Sequence, residues 1–139
     1  MNHNSFEKLY RFIRFDDRTT RAIRLETDKA AAISEIANMI RERFQILYNP
    51  TDSITVDEQL VRFFGHCRFK AYMPSKPDKY GLKLWVAADA SNAYALNFQL
   101  YTGRQLHGVP DRYLGQRVVM ELTKHLDAGY NITTDNFFY

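Results

Sequence analysis

The chain has 139 residues, of which 45% are hydrophobic and 14% aromatic, and this composition excludes a disordered protein. The formal net charge of +3 allows a polyanionic partner without requiring one. The single cysteine, Cys67, excludes an intramolecular disulfide and indicates a reducing compartment. No apolar run approaches the roughly 20 residues of a membrane span, so we expect no contact with a membrane.

Residues 1–50 have a helical pattern. An apolar face at helical spacing predicts a first helix, with the side chains Phe6, Leu9, Tyr10 and Ile13. A polar loop is predicted over residues 15–21. A second helix is predicted to begin near Thr27 or Asp28, either of which could cap it, and to end before Pro50.

From Ser53 onward the pattern becomes that of strands. The first strand is predicted over residues 54–64, and a basic loop or arm with two prolines over residues 68–79. The apolar run 82–88 predicts a buried strand, and alternation over residues 94–101 predicts its antiparallel hairpin partner.

The last part of the chain is predicted to form a loop over residues 104–115, a helix and a final strand. The helix has one apolar face with Val118, Val119, Leu122 and Leu126, and Gly129 is predicted to be its left-handed C-cap. The whole order predicts a mixed α/β fold, with three or four strands and a helix on the sheet.

Two aspartates stand at or near the ends of predicted strands, Asp57 in the first and Asp135 in the last. An ionised carboxylate is costly to desolvate unless it is paired or binds a metal ion. Neighbouring strands would bring both carboxylates to one divalent cation. From the residues alone, a strand-end or capping role for Asp57 remains open. Glu58 should face the other side of its strand, and a supporting or metal-binding role for it also remains open.

The segment from residue 62 to residue 83 is rich in cations and aromatic side chains, a pattern that is typical of nucleic-acid binding. An ordinary solvated loop is the alternative. The candidate DNA-binding residues are Arg62, Arg68, Lys70, Lys76, Lys79 and Lys83. Two further predictions are that Trp85 belongs to the core and that His107 and His125 are surface residues rather than metal ligands.

Several motifs in fixed order resemble the piggyBac transposase family. They are Thr55-Val56-Asp57-Glu58-Gln59-Leu60, Tyr72-Met73-Pro74-Ser75-Lys76-Pro77, Lys79-Tyr80-Gly81-Leu82-Lys83, Tyr101-Thr102-Gly103 and Thr134-Asp135-Asn136-Phe137-Phe138. The resemblance runs from about Phe6 to the end and is strongest from Ile54 onward.

The resemblance implies a ribonuclease H-like transposase core of the DDE or DDD type over residues 51–139, preceded by a helical segment over residues 1–50. Asp57 and Asp135 match the first and second catalytic, metal-binding aspartates, with Mg²⁺ or Mn²⁺ as cofactor. The implied activity is cleavage of DNA at transposon ends and joining to TTAA targets. The implied location is the nucleus, and a homodimer is a possible assembly.

The chain departs from the family in two respects. In the family, a third catalytic aspartate lies far beyond the second, and a cysteine-rich zinc module lies near the C-terminus. This sequence ends at Tyr139 and contains neither feature. We therefore expect a fragment of the catalytic domain that is inactive by itself. The alternatives are a domesticated, transposase-derived DNA-binding or interaction protein without catalysis, and a translated remnant without function.

Overall fold

A computed structural model describes residues 1–103 and 113–135 of the chain. The chain divides into two compact units, residues 1–39 and 40–139. Within the described ranges, no helix is both long and apolar enough to cross a membrane.

The first unit is helical. Helix α1 covers His3–Phe12, which confirms the predicted periodicity, and the Asn2 side chain caps it by accepting a 2.9 Å hydrogen bond from the Ser5 N–H. Its apolar side chains are exposed, including Phe6 and Leu9. Two contacts of α1 are local ones, namely the Asn2 cap and the stacked rings of Phe6 and Tyr10, whose centres are 6.2 Å apart.

Residues 15–21 were predicted as a loop, but helix α2 covers Arg18–Arg24. The prediction was wrong because two aspartates, Asp16 and Asp17, bind backbone and side-chain groups of this polar segment and so stabilise a helix there. Asp17 caps α2 by accepting the Thr19 N–H at 2.8 Å. Burial opposes ionisation of Asp16, yet its hydrogen bonds and ion pairs with Arg21 and Arg24 outweigh burial and lower the pKa of this carboxyl.

Helix α3 covers Ser34–Leu47. Its end agrees with the prediction, but its start lies several residues after Asp28. The Asp28 carboxylate instead accepts hydrogen bonds from the Ala30 N–H, at 2.8 Å, and from the Ser34 hydroxyl. These bonds stabilise a run of turns ahead of the helix, which the apolar pattern alone does not distinguish from helix.

The second unit contains a mixed sheet with five strands among the described residues. The strands are β1 (Ser53–Arg62), β2 (Ala71–Tyr72), β3 (Tyr80–Asp89), β4 (Ala95–Leu100) and β5 (Asn131–Thr134). Strand β3 pairs with β1 along one edge and with β2 and β4 along the other, all antiparallel. The predicted hairpin of β3 and β4 is confirmed. The two-residue strand β2 was not predicted, because it lies in the proline-containing basic arm.

Helix α4, Leu114–Thr123, covers one face of the sheet. The core contains Ile54, Val56, Trp85, Ala87, Leu96, Val118 and Leu122, all of them at most 1% exposed. Burying each large apolar side chain contributes about 1.5–3 kcal/mol. The mixed α/β prediction and the core position of Trp85 are confirmed.

The predictions for Gly129 and for the loop ahead of α4 have different outcomes. Gly129 has a left-handed φ of 112°, but α4 already ends at Thr123 with Lys124 as its C-cap, so Gly129 serves the turn before β5. Most of the predicted 104–115 loop, including His107, lies outside the described residues. His125 is half-buried, and desolvation lowers the pKa of its imidazole.

The carboxylate of Asp89 joins three segments of the second unit. Asp89 ends β3 and is 1% exposed. It accepts hydrogen bonds from the hydroxyl and N–H of Ser91 at 2.6 and 2.8 Å, and from the N–H and hydroxyl of Thr51 at 2.6 and 2.9 Å. The Tyr48 hydroxyl donates a further bond at 3.1 Å. The end of α3, the start of β1 and the β3–β4 turn are thus held together.

We expect Asp89→Asn to lower the thermal stability of the chain and to make that stability less sensitive to a fall in pH. Hydrogen bonds from Ser91 and Thr51 hold the pKa of the Asp89 carboxyl well below its usual value of 3.8. A lowered folded-state pKa stabilises the protein above the unfolded-state pKa, and this contribution is lost as the pH falls below that value. Thermal unfolding at pH 7 and at pH 3 should show a loss of several degrees at pH 7 and a smaller loss at pH 3. Equal losses at both pH values would contradict this account.

Candidate functional site

The two candidate catalytic aspartates lie at adjacent positions of one strand pair. Strands β1 and β5 are parallel, and Val56 is the register partner of Thr134. Asp57 directly follows Val56, and Asp135 directly follows Thr134. Since neighbouring strands are about 4.8 Å apart, the pairing brings the two aspartates side by side.

The sheet also determines which face Asp57 occupies. Ile54 and Val56 point into the core, so Asp57 belongs to the opposite, exposed face, and Asp135 is exposed as well. The Asp57 carboxylate accepts a 2.6 Å hydrogen bond from the Glu58 N–H, which restrains its orientation.

The donor chemistry at this position fits a divalent cation. Two carboxylates in neighbouring strands offer the oxygen ligands that Mg²⁺ and Mn²⁺ prefer. Within residues 1–103 and 113–135, no group of three or more acidic, histidine or cysteine side chains could hold a metal ion. Among the described residues, the two candidate carboxylates of Asp57 and Asp135 thus have no third candidate ligand grouped with them.

Glu58 lies on the other face of β1. Its carboxylate forms an ion pair with the Lys83 ammonium at 2.6 Å, and the side chains are 19% and 14% exposed. The same ammonium lies 4.0 Å from the centre of a Trp85 ring. Lys83, a candidate DNA-binding residue, thus has its charge engaged beside the core. Sequence reasoning missed this pair because the two residues are far apart in sequence, and only the register of β1 and β3 brings them together.

The other candidate DNA-binding residues lie around the β2–β3 hairpin. Arg68 and Lys70 precede β2, and Lys76 and Lys79 lie in the connection between β2 and β3. Arg62 ends β1, 3.3 Å from the Asp78 carboxylate and 4.4 Å above the Phe64 ring centre. The candidate DNA-binding cations of residues 62–79 therefore belong to the hairpin or to the segments next to it.

We expect Lys83→Met to lower the free energy of unfolding by about 1–3 kcal/mol, because it leaves the half-buried Glu58 carboxylate without its ion-pair partner. The double variant Glu58→Gln/Lys83→Met should recover part of this loss. Urea denaturation of the single and double variants measures the coupling. Arg62→Met is the control, since its exposed ion pair should contribute less than about 1 kcal/mol. Strictly additive losses would show that the pair has no coupling.

Comparison with known proteins gives a family match over residues 1–139, to the family described as transposase IS4. A solved structure of a piggyBac transposase synaptic complex with hairpin DNA superposes with a TM-score of 0.88 at 34% sequence identity. That match covers 99% of this chain and 29% of the transposase chain. The fold is therefore ribonuclease H-like, as predicted, and the resemblance to piggyBac transposases is confirmed.

Two curated human proteins are similar at 25% identity over 116 residues. One is PiggyBac transposable element-derived protein 3, and the other is a chimeric ERCC6-PGBD3 protein from Homo sapiens. Each match covers 80% of this chain but only 19% and 11% of the two relatives. The chain thus spans less than a third of the length of each of these three proteins.

Proposed function

Because the chain belongs to the transposase IS4 family, we propose that it forms part of the catalytic core of a piggyBac-like DNA transposase, with Asp57 and Asp135 as two of its metal-binding carboxylates. The observation that carries this proposal is the parallel register of β1 and β5, which brings the two residues side by side. A divalent cation held there would activate an attacking oxygen and stabilise the leaving oxygen in phosphoryl transfer.

The residues of this chain contribute to that chemistry by position. Strand β1 pairs with β3 at Asp57 itself and with β5 as far as Val56, so the backbone that carries Asp57 is well constrained. The bond from the Glu58 N–H orients the Asp57 carboxylate, and the Glu58 side chain is occupied by Lys83 on the other face. This arrangement favours Asp57 over Glu58 as the metal ligand.

We propose cleavage at transposon ends and joining to TTAA targets for an intact enzyme that supplies a third carboxylate. With two carboxylates alone, this chain should catalyse no strand transfer and at most weak nicking. Binding to DNA, action in the nucleus and assembly as a homodimer belong to the same proposal.

A second candidate function is DNA binding without catalysis. The observation that favours it is the separation of the cations from the carboxylates, since Lys76 and Lys79 belong to the β2–β3 connection while Asp57 lies within β1. Binding through the hairpin would require no metal ion. A pure binding module should retain its DNA affinity in EDTA and after Asp57→Asn.

We expect Asp57→Asn to weaken Mn²⁺ binding by about tenfold or more, because it removes one of two charged ligands at the site. Titration of Mn²⁺ by electron paramagnetic resonance measures the affinity. Asp52→Asn is a matched control, since Asp52 is an exposed aspartate just before β1. Equal Mn²⁺ affinity of the wild type and Asp57→Asn would contradict the site. Efficient cleavage of a plasmid by the chain, abolished by Asp57→Ala, would contradict its expected inactivity.

We expect Lys79→Gln to weaken binding to a DNA duplex and to lower the slope of log K against log salt concentration by about 0.9. The reason is that each lysine–phosphate contact releases condensed counterions. Fluorescence anisotropy at several salt concentrations measures both quantities. Lys124→Gln is the control, since this exposed lysine follows α4 and forms an ion pair with Glu121. Equal effects of the two substitutions would show that binding is not centred on the hairpin.

A further inference from the structure

Two exposed tyrosines form a tilted aromatic pair on the two strands of the basic hairpin. Tyr72 in β2 is the register partner of Tyr80 in β3, so both side chains are on one face of the sheet. Their ring centres are 4.8 Å apart with an interplanar angle of 38°, and the residues are 56% and 58% exposed. We call Tyr72 and Tyr80 the aromatic platform.

The backbone beneath the aromatic platform is tightly constrained. Gly81, next to Tyr80, is buried and pairs with Arg62 on one edge and Ala71 on the other. A Cβ atom at Gly81 would lie 2.3 Å from the Val61 carbonyl oxygen, so only glycine permits this approach of β1 and β3. The strands that carry the two exposed rings are therefore held in a fixed position.

A positive charge borders the platform. The Lys70 ammonium is 5.7 Å from the centre of the Tyr80 ring. Lys79 directly precedes Tyr80, and the Met73 N–H closes the hairpin by a 2.8 Å bond to the Lys79 carbonyl oxygen. Exposed aromatic faces with a cation at their margin suit nucleobases attached to phosphates, whereas an apolar protein partner would leave the Lys70 ammonium desolvated.

The platform and the candidate metal site share one face of the sheet. Asp57 is the register partner of Val86, and Val86 and Tyr80 are on the same side of β3 because six residues separate them. At about 3.4 Å per residue, the platform lies about 20 Å along the sheet from Asp57. A DNA strand that reaches both sites would place a base on the platform several nucleotides from the scissile phosphate.

We propose that Tyr72 and Tyr80 stack against an unpaired base of the DNA substrate and so recognise single-stranded DNA next to a duplex. This inference rests on the proposed function, because it names a structural feature of the DNA that the same hairpin would bind. Base pairing in an intact duplex hides base faces, so the platform discriminates between paired and unpaired DNA rather than between base sequences.

The test compares a labelled duplex with a labelled single strand of the same length, using the full chain and fluorescence anisotropy. We expect Tyr72→Ala to weaken single-strand binding by about 5- to 150-fold and to leave duplex binding essentially unchanged. Tyr72→Phe should retain wild-type affinity because it keeps the ring. Tyr113→Ala is the matched control, since Tyr113 is exposed just before α4 and outside the platform.

A single strand that contains 2-aminopurine reports stacking directly, and the wild type and Tyr72→Phe should quench its fluorescence on binding while Tyr72→Ala should not. Equal loss of duplex and single-strand binding in Tyr72→Ala, or unchanged quenching, would overturn the inference. Salt-dependent duplex binding by the wild type would then still support the proposed function. Absence of any DNA binding by the wild type would overturn both.

Discussion

The pairing of β1 on both of its edges is the constraint on which the second unit depends. Its antiparallel register with β3 and its parallel register with β5 together fix the position of Asp57. A shift of one residue in either register would exchange the faces of the sheet and remove the carboxylate from its neighbour. The buried Asp89 supports this arrangement, because it ties the segment before β1 to the end of β3.

The two faces of β1 have different roles. One face contributes Ile54 and Val56 to the core and places Glu58 against Lys83 and Trp85. The other face presents Asp57 to solvent. Because side chains alternate along the strand, Glu58 and Asp57 lie on opposite faces although they are adjacent in sequence. The Glu58 charge is paired inside the sheet, and the Asp57 charge is accessible to a cation.

The candidate DNA-binding residues and the candidate metal ligands occupy different places on the sheet. The cations group around the β2–β3 hairpin, where Gly81 allows the close approach of β1 and β3. Asp57 and Asp135 stand where β1 and β5 run in parallel. A protein without catalysis could thus keep the basic hairpin, and this separation is why both candidate functions are compatible with one fold.

The sequence by itself determined the periodic elements, namely α1, the β3–β4 hairpin and α4, and its motifs pointed to Asp57 and Asp135. It did not determine α2 or the start of α3, because local hydrogen bonds to the Asp17 and Asp28 carboxylates compete with periodicity over only a few residues. Only the tertiary structure paired Glu58 with Lys83, buried Asp89 and placed Tyr72 beside Tyr80. Each of these contacts depends on strand register, which is set by packing across the whole sheet and leaves no local pattern in the chain.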